Sequence, residues 1–192
     1  MSRRLGFTVI CLFAPITVQA HVLPEAGGFT VGLTHPVLGF DHFLAMVSVG
    51  ILSAQMKGRA IWAVPATFVS VMAMGGMLGI AGIRILGVEF GIAVSVLGLG
   101  IALAAEKKLP PIAAMLFVGF LAIFHGHAHG TEMPSILKPA LYALGFVVGT
   151  AGIHIVGVLI GFFATRTKKG AELLRYSGAG IAGIGAYILF AG

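Results

Sequence analysis

Residues 109–132 read LPPIAAMLFVGFLAIFHGHAHGTE. Most of this stretch is an apolar run, and a helix needs about 20 such residues to cross a bilayer. The run ends, however, in His125, His127 and His129, and Glu132 follows them. Because ionisable side chains are costly inside a membrane, the pattern predicts a membrane-spanning helix that carries a functional site at one end.

The whole chain shares this apolar character. Hydrophobic residues make up 58% and charged residues 9% of its 192 residues, and the mean hydropathy is +1.06. Such a composition exceeds what a soluble domain can cover with polar surface, so it predicts an all-α, polytopic membrane protein in a lipid bilayer. The net charge of +6 comes from short Lys and Arg clusters between apolar stretches. These clusters are typical of topology signals and argue against nucleic-acid binding.

Residues 1–20 have the pattern of a secretory signal peptide. They begin with Arg3 and Arg4, continue with an apolar run, and end in small residues up to Ala20. Cleavage after that position would make His21 the new amino terminus. An uncleaved seventh helix is the alternative, which the shortness of the apolar run disfavours.

Six apolar segments follow the signal peptide and form a single transmembrane domain over residues 21–192. The predicted spans are 36–55, 60–81, 88–105, 109–129, 139–164 and 174–191. Positive charge is concentrated in the first, third and fifth loops, and the positive-inside rule places these loops in the cytoplasm. The mature amino and carboxyl termini are therefore predicted on the periplasmic side of a bacterial inner membrane.

Glycine is abundant, with 29 residues, and recurs at packing intervals, as in Gly75/Gly79. Small residues let helices approach closely in lipid, so we expect a tightly packed bundle whose faces would also permit homo-oligomers. Gly126 and Gly130 have an alternative role, in which they let the fourth span unwind beside its histidines.

Most ionisable residues outside the loops fall at or near the outer ends of the predicted spans. They are His35, Asp41, His42, Glu89, His125, His127, His129 and Glu132. On a regular helix that starts at His35-Pro36, His35 and His42 would share one face two turns apart. His125 and His129 would share a face of the fourth span, while His127 would point away from it.

Five histidines and two carboxylates in two short motifs favour a site for a divalent first-row metal ion. Interfacial hydrogen bonding is the alternative for any single one of these histidines. Glu89 either adds a further carboxylate or caps its helix. His154 lies past the middle of the fifth span, and we interpret it as a relay residue toward the cytoplasm, with a hydrogen bond to a neighbouring helix as the alternative. His21, if freed by cleavage, would offer a small chelate at the entrance.

Soft metal ligands are scarce in this chain. The single cysteine, Cys11, lies in the signal peptide, so the mature chain would have no thiolate site and no disulfide. Met72, Met74 and Met77 are potential soft ligands for a copper-like ion, but flexible packing is the favoured interpretation.

Two motifs, His35-x5-Asp41-His42 and Phe124-His-Gly-His-Ala-His129-Gly-Thr-Glu132, resemble the signatures of the HupE/UreJ family of nickel permeases. The resemblance implies a secondary permease for nickel, or for cobalt in some members, linked to hydrogenase or urease maturation. It also implies that the matching residues are the important ones, although His127 occupies a variable position. These residues are His35, Asp41, His42, Phe124, His125, Gly126, His129, Gly130 and Glu132.

A permease of this kind needs no nucleotide, because inward movement of a divalent cation through 100 mV releases roughly 4.6 kcal/mol. The sequence contains no G-x-x-x-x-G-K-[ST] phosphate loop. We expect no permanently bound cofactor, with Ni²⁺ or Co²⁺ as the transported ion. The donors alone do not choose between nickel, cobalt and zinc.

Three other classes use similar residues. An intramembrane zinc-dependent hydrolase is one, although Ser135 is the only serine beside the motifs. A bis-histidine haem protein is the second. The third is a metal sensor that binds the ion without moving it.

Overall fold

The computed structural model describes residues 27–106, 109–133 and 138–191, and every regular element in them is an α-helix. The elements are α1 (Gly28–Leu38), α2 (Phe40–Met56), α3 (Ala60–Ile80), α4 (Val88–Ala105), α5 (Pro111–Thr131), α6 (Pro139–Ala164) and α7 (Lys168–Ala191). The predicted all-α class is confirmed. The predicted signal peptide with Cys11, the cleavage site, His21, Lys107, Lys108 and Ser135 lie outside the described residues.

Five helices, α3 to α7, are each long and apolar enough to cross a membrane, and α1 with α2 counts as a sixth candidate span. The third and fifth predicted spans coincide with α4 and α6. The last span starts earlier than predicted, at Lys168. The Thr167 hydroxyl accepts the backbone N–H of Gly170 at 3.0 Å, which stabilises a helical turn within a segment too polar to be predicted as membrane-spanning.

The prediction that a regular helix starts at His35-Pro36 is wrong. The chain bends by 83° between α1 and α2, and Gly39 has an extended backbone at the bend. Pro36 lies inside α1, where it has no N–H to donate to the preceding turn. His35 therefore lies in the last turn of α1 and His42 in the first turn of α2, so the two histidines do not share a helix face.

Glycines bring the helices together in three close groupings: α3 with α5, α1 and α2 with α6, and α4 with α7. In each grouping a Cβ added to a glycine would collide with the backbone of the neighbouring helix. Examples are Gly126 against Met72, Gly145 against Phe29, Gly157 against Val47 and Gly178 against Ala104. The predicted packing role of glycine is thus confirmed at these positions, and α5 is a continuous helix through Gly126 and Gly130.

The close approach of α1 and α6 predicts opposite effects for two alanine substitutions on α6. Gly145→Ala places a methyl group against the carbonyl of Phe29, whereas Gly152→Ala meets nothing within 4 Å. Since alanine is better than glycine in a helix by about 1 kcal/mol, Gly152→Ala should leave the thermal unfolding midpoint unchanged or raise it, and Gly145→Ala should lower it. Equal shifts in the purified, detergent-solubilised variants would contradict this packing.

Candidate metal site

Four predicted histidines meet where the break between α1 and α2 lies against the end of α5. The ring centroids of His35 and His129 are 4.8 Å apart, those of His129 and His42 are 4.2 Å apart, and those of His42 and His125 are 4.7 Å apart. We call these four side chains, with Asp41 and Glu132, the histidine cluster. Three helices supply it, which explains why both motifs are needed to build one site.

The outer part of the histidine cluster contains His35, His129 and Glu132. One donor atom from each lies within 4.8 Å of the other two. Nε2 of His35 is 3.1 Å from Oε2 of Glu132, and Nδ1 of His129 is 3.7 Å from the same oxygen. The Glu132 side chain is 53% exposed whereas that of His129 is 3% exposed. Donors of the kind that first-row divalent metals prefer thus extend from the surface into the protein.

The inner part begins with His42, which is oriented by its neighbour Asp41. The ring N–H at Nδ1 of His42 donates to Oδ1 of Asp41 at 2.8 Å, and the backbone N–H of His42 donates to the same oxygen. Nε2 of His42 is buried and has no hydrogen-bond partner among the described residues. A histidine held by a carboxylate with its other nitrogen free is the usual arrangement of a metal ligand. In this geometry Asp41 acts as a positioning residue.

Ser95 on α4 orients the ring of His125, as Asp41 orients that of His42. Its hydroxyl donates to the carbonyl of Ile92 at 2.7 Å, and its oxygen lies 2.6 Å from Nε2 of His125. Because the single hydroxyl proton is already used, the network assigns the ring proton of His125 to Nε2, which donates to Ser95. Nδ1 of His125 then carries no proton, so its lone pair is available to a metal ion. This atom is buried and has no hydrogen-bond partner among the described residues. Sequence reasoning missed Ser95, since a lone serine in an apolar span carries no motif.

The electrostatic setting of the histidine cluster favours a cation. Both α1 and α5 end here while α2 begins here, so two carboxyl ends with partial negative charge outnumber one amino end with partial positive charge. The carboxylates of Asp41 and Glu132 add two formal negative charges, which match the charge of a divalent ion. The imidazoles supply nitrogen without adding charge, provided that they are unprotonated.

Other predicted ligands lie apart from the histidine cluster. His127 donates from Nε2 to the carbonyl of Ile83 at 2.7 Å, so it points away from the cluster, as expected on a continuous helix. Glu89 is exposed in the first turn of α4, and its role stays a prediction. His154 is buried deeper in the bundle, next to Phe68. Met72 is fully buried in the core, whereas Met74 and Met77 are exposed.

The remaining motif residues bring α5 against its neighbours. Gly126 and Gly130 face the backbones of Met72 and Gly76 on α3, and the Phe124 ring covers Gly91 on α4. A larger residue at Gly126 or Gly130 would push α5 away from α3. These three residues therefore help to position His125 and His129 through their packing contacts.

A bundle of membrane-spanning helices with buried nitrogen and oxygen donors at one end is typical of a membrane protein that handles a transition-metal ion. A family model described as HupE / UreJ protein matches residues 9–188. Protein HupE of Rhizobium leguminosarum bv. viciae is 42% identical over 187 residues, which cover 97% of each chain. The chain belongs to the HupE/UreJ family, so the assignment from the two motifs is confirmed, and its class is a multi-pass metal-ion permease. No solved structure matches the chain.

The hydrogen bond from His125 to Ser95 yields a matched pair of serine variants. Both Ser95 and Ser53 are buried and donate to a carbonyl three residues earlier at 2.7 Å, but only Ser95 also contacts a histidine. With Ni²⁺ as the probe ion, Ser95→Ala should weaken binding by about tenfold, the scale expected when a residue that orients a ligand is lost. Ser53→Ala should leave affinity unchanged. Equilibrium binding to the purified variants tests this, and equal affinities in both would remove the assigned role of Ser95.

Proposed function

We propose that this protein is a secondary, ATP-independent uptake permease for nickel. One observation carries the proposal: a continuous cluster of nitrogen and oxygen donors runs from exposed Glu132 to fully buried His125 at one end of a membrane bundle. A metal site needed only for stability would not require an exposed entrance. A series of donors that extends from the exposed surface to the buried interior suits an ion that must enter the protein and then be transported.

The geometry supports a stepwise loss of the ion's water shell. Glu132 is the exposed anion that attracts the hydrated cation, and His35 and His129 lie beside it. His42 and His125 then offer Nε2 and Nδ1, each held ready by a hydrogen bond on the other ring nitrogen. Each imidazole replaces one water, so no single step removes the whole hydration shell. The membrane potential supplies the inward driving force.

Nickel as the ion, and a supply role for hydrogenase or urease maturation, rest on the resemblance of the two motifs to nickel permeases. Cobalt is the alternative ion within the same family. The donor set of imidazole and carboxylate suits both metals. The ion is the cargo, and the proposal includes neither a resident cofactor nor an enzymatic reaction.

The proposed location is the bacterial inner membrane, with the histidine cluster facing the periplasm. Lys57 and Arg166 lie just past the ends of α2 and α6, at the side opposite the cluster. The positive-inside rule favours the cytoplasm for that side. The mature termini would then be periplasmic.

The ring spacing in the histidine cluster argues against a haem protein, while an intramembrane zinc-dependent hydrolase stays the alternative from another class. A haem needs space for a porphyrin between its two axial imidazoles. Neighbouring rings in the histidine cluster have centroids 4.2 to 4.8 Å apart and contact one another directly. The same close spacing suits a single small ion that passes from ring to ring.

Uptake of radioactive nickel by cells that express the chain tests the proposal. Glu132→Gln, His42→Ala and Asp41→Ala should each lower uptake by about tenfold or more, because they remove a ligand or the group that orients one. Glu172→Gln, which removes an exposed carboxylate on α7, is the matched control and should carry nickel normally. Excess cobalt and zinc in parallel assays identify the preferred ion. Normal uptake by Glu132→Gln and His42→Ala would contradict the proposed site.

A further inference from the structure

Two basic residues, Lys57 and Arg166, line a pocket at the end of the bundle opposite the histidine cluster. Lys57 directly follows α2, and Arg166 lies two residues past the end of α6. The pocket has a volume of about 410 Å³. Its other lining residues are Ala54, Ile61, Phe162 and Thr165. None of these six residues is acidic, so the pocket presents two positive charges beside mainly apolar side chains.

Both cations of this pocket are available to an external anion. Lys57 and Arg166 are exposed, and every ion pair in the described part of the chain is made by a histidine. Cζ of Arg166 lies 4.3 Å from the centroid of the Phe162 ring. Such a cation–π contact orients the guanidinium without neutralising its charge. The pocket therefore holds a positioned arginine and a lysine whose charges are not offset by a carboxylate among the described residues.

The backbone of Lys57 adds a second observation. Its φ of 65° and ψ of −177° fall in a region that is populated almost only by glycine. A glycine at this position would adopt the same backbone without strain, so the lysine is present at a cost in stability. Strained residues of this kind cluster at binding sites. The strain therefore points to a role for the lysine side chain that glycine could not fill.

A lipid-facing groove between α3 and α6 continues from this pocket and shares Ile61 with it. The groove has a volume of about 360 Å³ and is apolar apart from buried His154 and exposed Ser70. It opens beside Trp62 and Ile155, which are 68% and 50% exposed. Ile61 and Ser70 lie nine residues apart on α3, about 14 Å at roughly 1.5 Å per residue. Since the hydrocarbon core is about 30 Å thick, the groove extends through one leaflet, the depth of a single acyl chain.

We propose that the pocket and the groove together bind one anionic phospholipid. The phosphate contacts Lys57 and Arg166, and one acyl chain follows the groove past Trp62. Basic pockets between transmembrane helices suit anionic headgroups, and tryptophan is enriched at the level of the headgroups. The bound lipid joins α3 to α6, which belong to different glycine-packed groupings. The inference does not depend on which ion the protein carries.

A second copy of the chain is the other candidate occupant of the groove. In a two-fold dimer the same surface patch lies on both sides of the interface. Lys57 and Arg166 of one chain would then lie toward the same two cations of the other chain, and like charges repel. An anionic headgroup instead offsets these charges. Charge complementarity therefore favours the lipid.

Trp62 is the single tryptophan of the chain, so its fluorescence reports the lipid in the groove. Bromine on an acyl chain quenches tryptophan on contact. The purified protein is placed in bilayers with equal amounts of phosphatidylglycerol and phosphatidylcholine, and either lipid is brominated in turn. Quenching should show about a tenfold preference for phosphatidylglycerol, the order expected for two cations beside an anionic headgroup. Lys57→Gln/Arg166→Gln should abolish the preference. Lys168→Gln/Lys169→Gln, which removes two exposed charges outside the pocket, should keep it.

Three results would overturn the lipid site. The first is the same preference in Lys57→Gln/Arg166→Gln as in the wild type, because the two cations would then not bind the headgroup. The second is an equal loss of preference in Lys168→Gln/Lys169→Gln, which would assign the effect to the general positive charge of this end of the bundle. The third is weak quenching by both lipids, which would show that protein covers the groove.

A second variant, Lys57→Gly, tests the site through stability. Glycine removes the cation and relieves the strained backbone, so the thermal unfolding midpoint in detergent alone should equal or exceed that of the wild type. Added phosphatidylglycerol should raise the midpoint of the wild type, because a ligand that binds only the folded state stabilises it. The same lipid should raise the midpoint of Lys57→Gly much less. An equal rise in both proteins would contradict the proposed role of Lys57.

Discussion

The site depends on burying imidazoles that keep one nitrogen free. A buried polar atom without a hydrogen-bond partner lowers the stability of a fold by about 1 to 3 kcal/mol. The penalty applies in full where water cannot reach the atom. Asp41 and Ser95 each satisfy one nitrogen of a histidine and thereby fix which nitrogen stays unprotonated. The free nitrogens, Nε2 of His42 and Nδ1 of His125, are thus held ready for an ion. In the proposed permease, loss of one water from the ion would be offset by a ligand that is already in place.

Glycine contacts between helices maintain this arrangement. The α3 and α5 helices lie backbone to backbone at Gly126 and Gly130, and α6 contacts α1 and α2 at Gly145 and Gly157. The histidine cluster lies between two of these close groupings, where α1 and α2 meet α5. Backbone contact within each grouping sets the spacing of the helices that carry the side chains of the cluster.

Composition and hydropathy were sufficient to predict the class of fold, because membrane spans are continuous apolar runs. The two motifs contain all six residues of the histidine cluster, because charge and imidazole are rare in such runs, and the role of these residues as metal ligands stays a prediction. The break at Gly39 was missed. Pro36 and Gly39 are the signals for it, but the spacing of His35 and His42 also fits two turns of a regular helix. Ser95 carried no signal, because its role depends on a contact with His125 thirty residues away on another helix.

X-ray absorption spectroscopy of the purified, nickel-loaded protein would examine the ion's ligands directly. The ligand arrangement described here predicts a first shell of nitrogen and oxygen only, with the outer-shell scattering of at least two imidazoles. Met46 and Met72 are fully buried in the same core, so a sulfur ligand is a genuine competing result. A sulfur scatterer in the first shell, or a spectrum without imidazole, would contradict the histidine cluster as the ion's binding site.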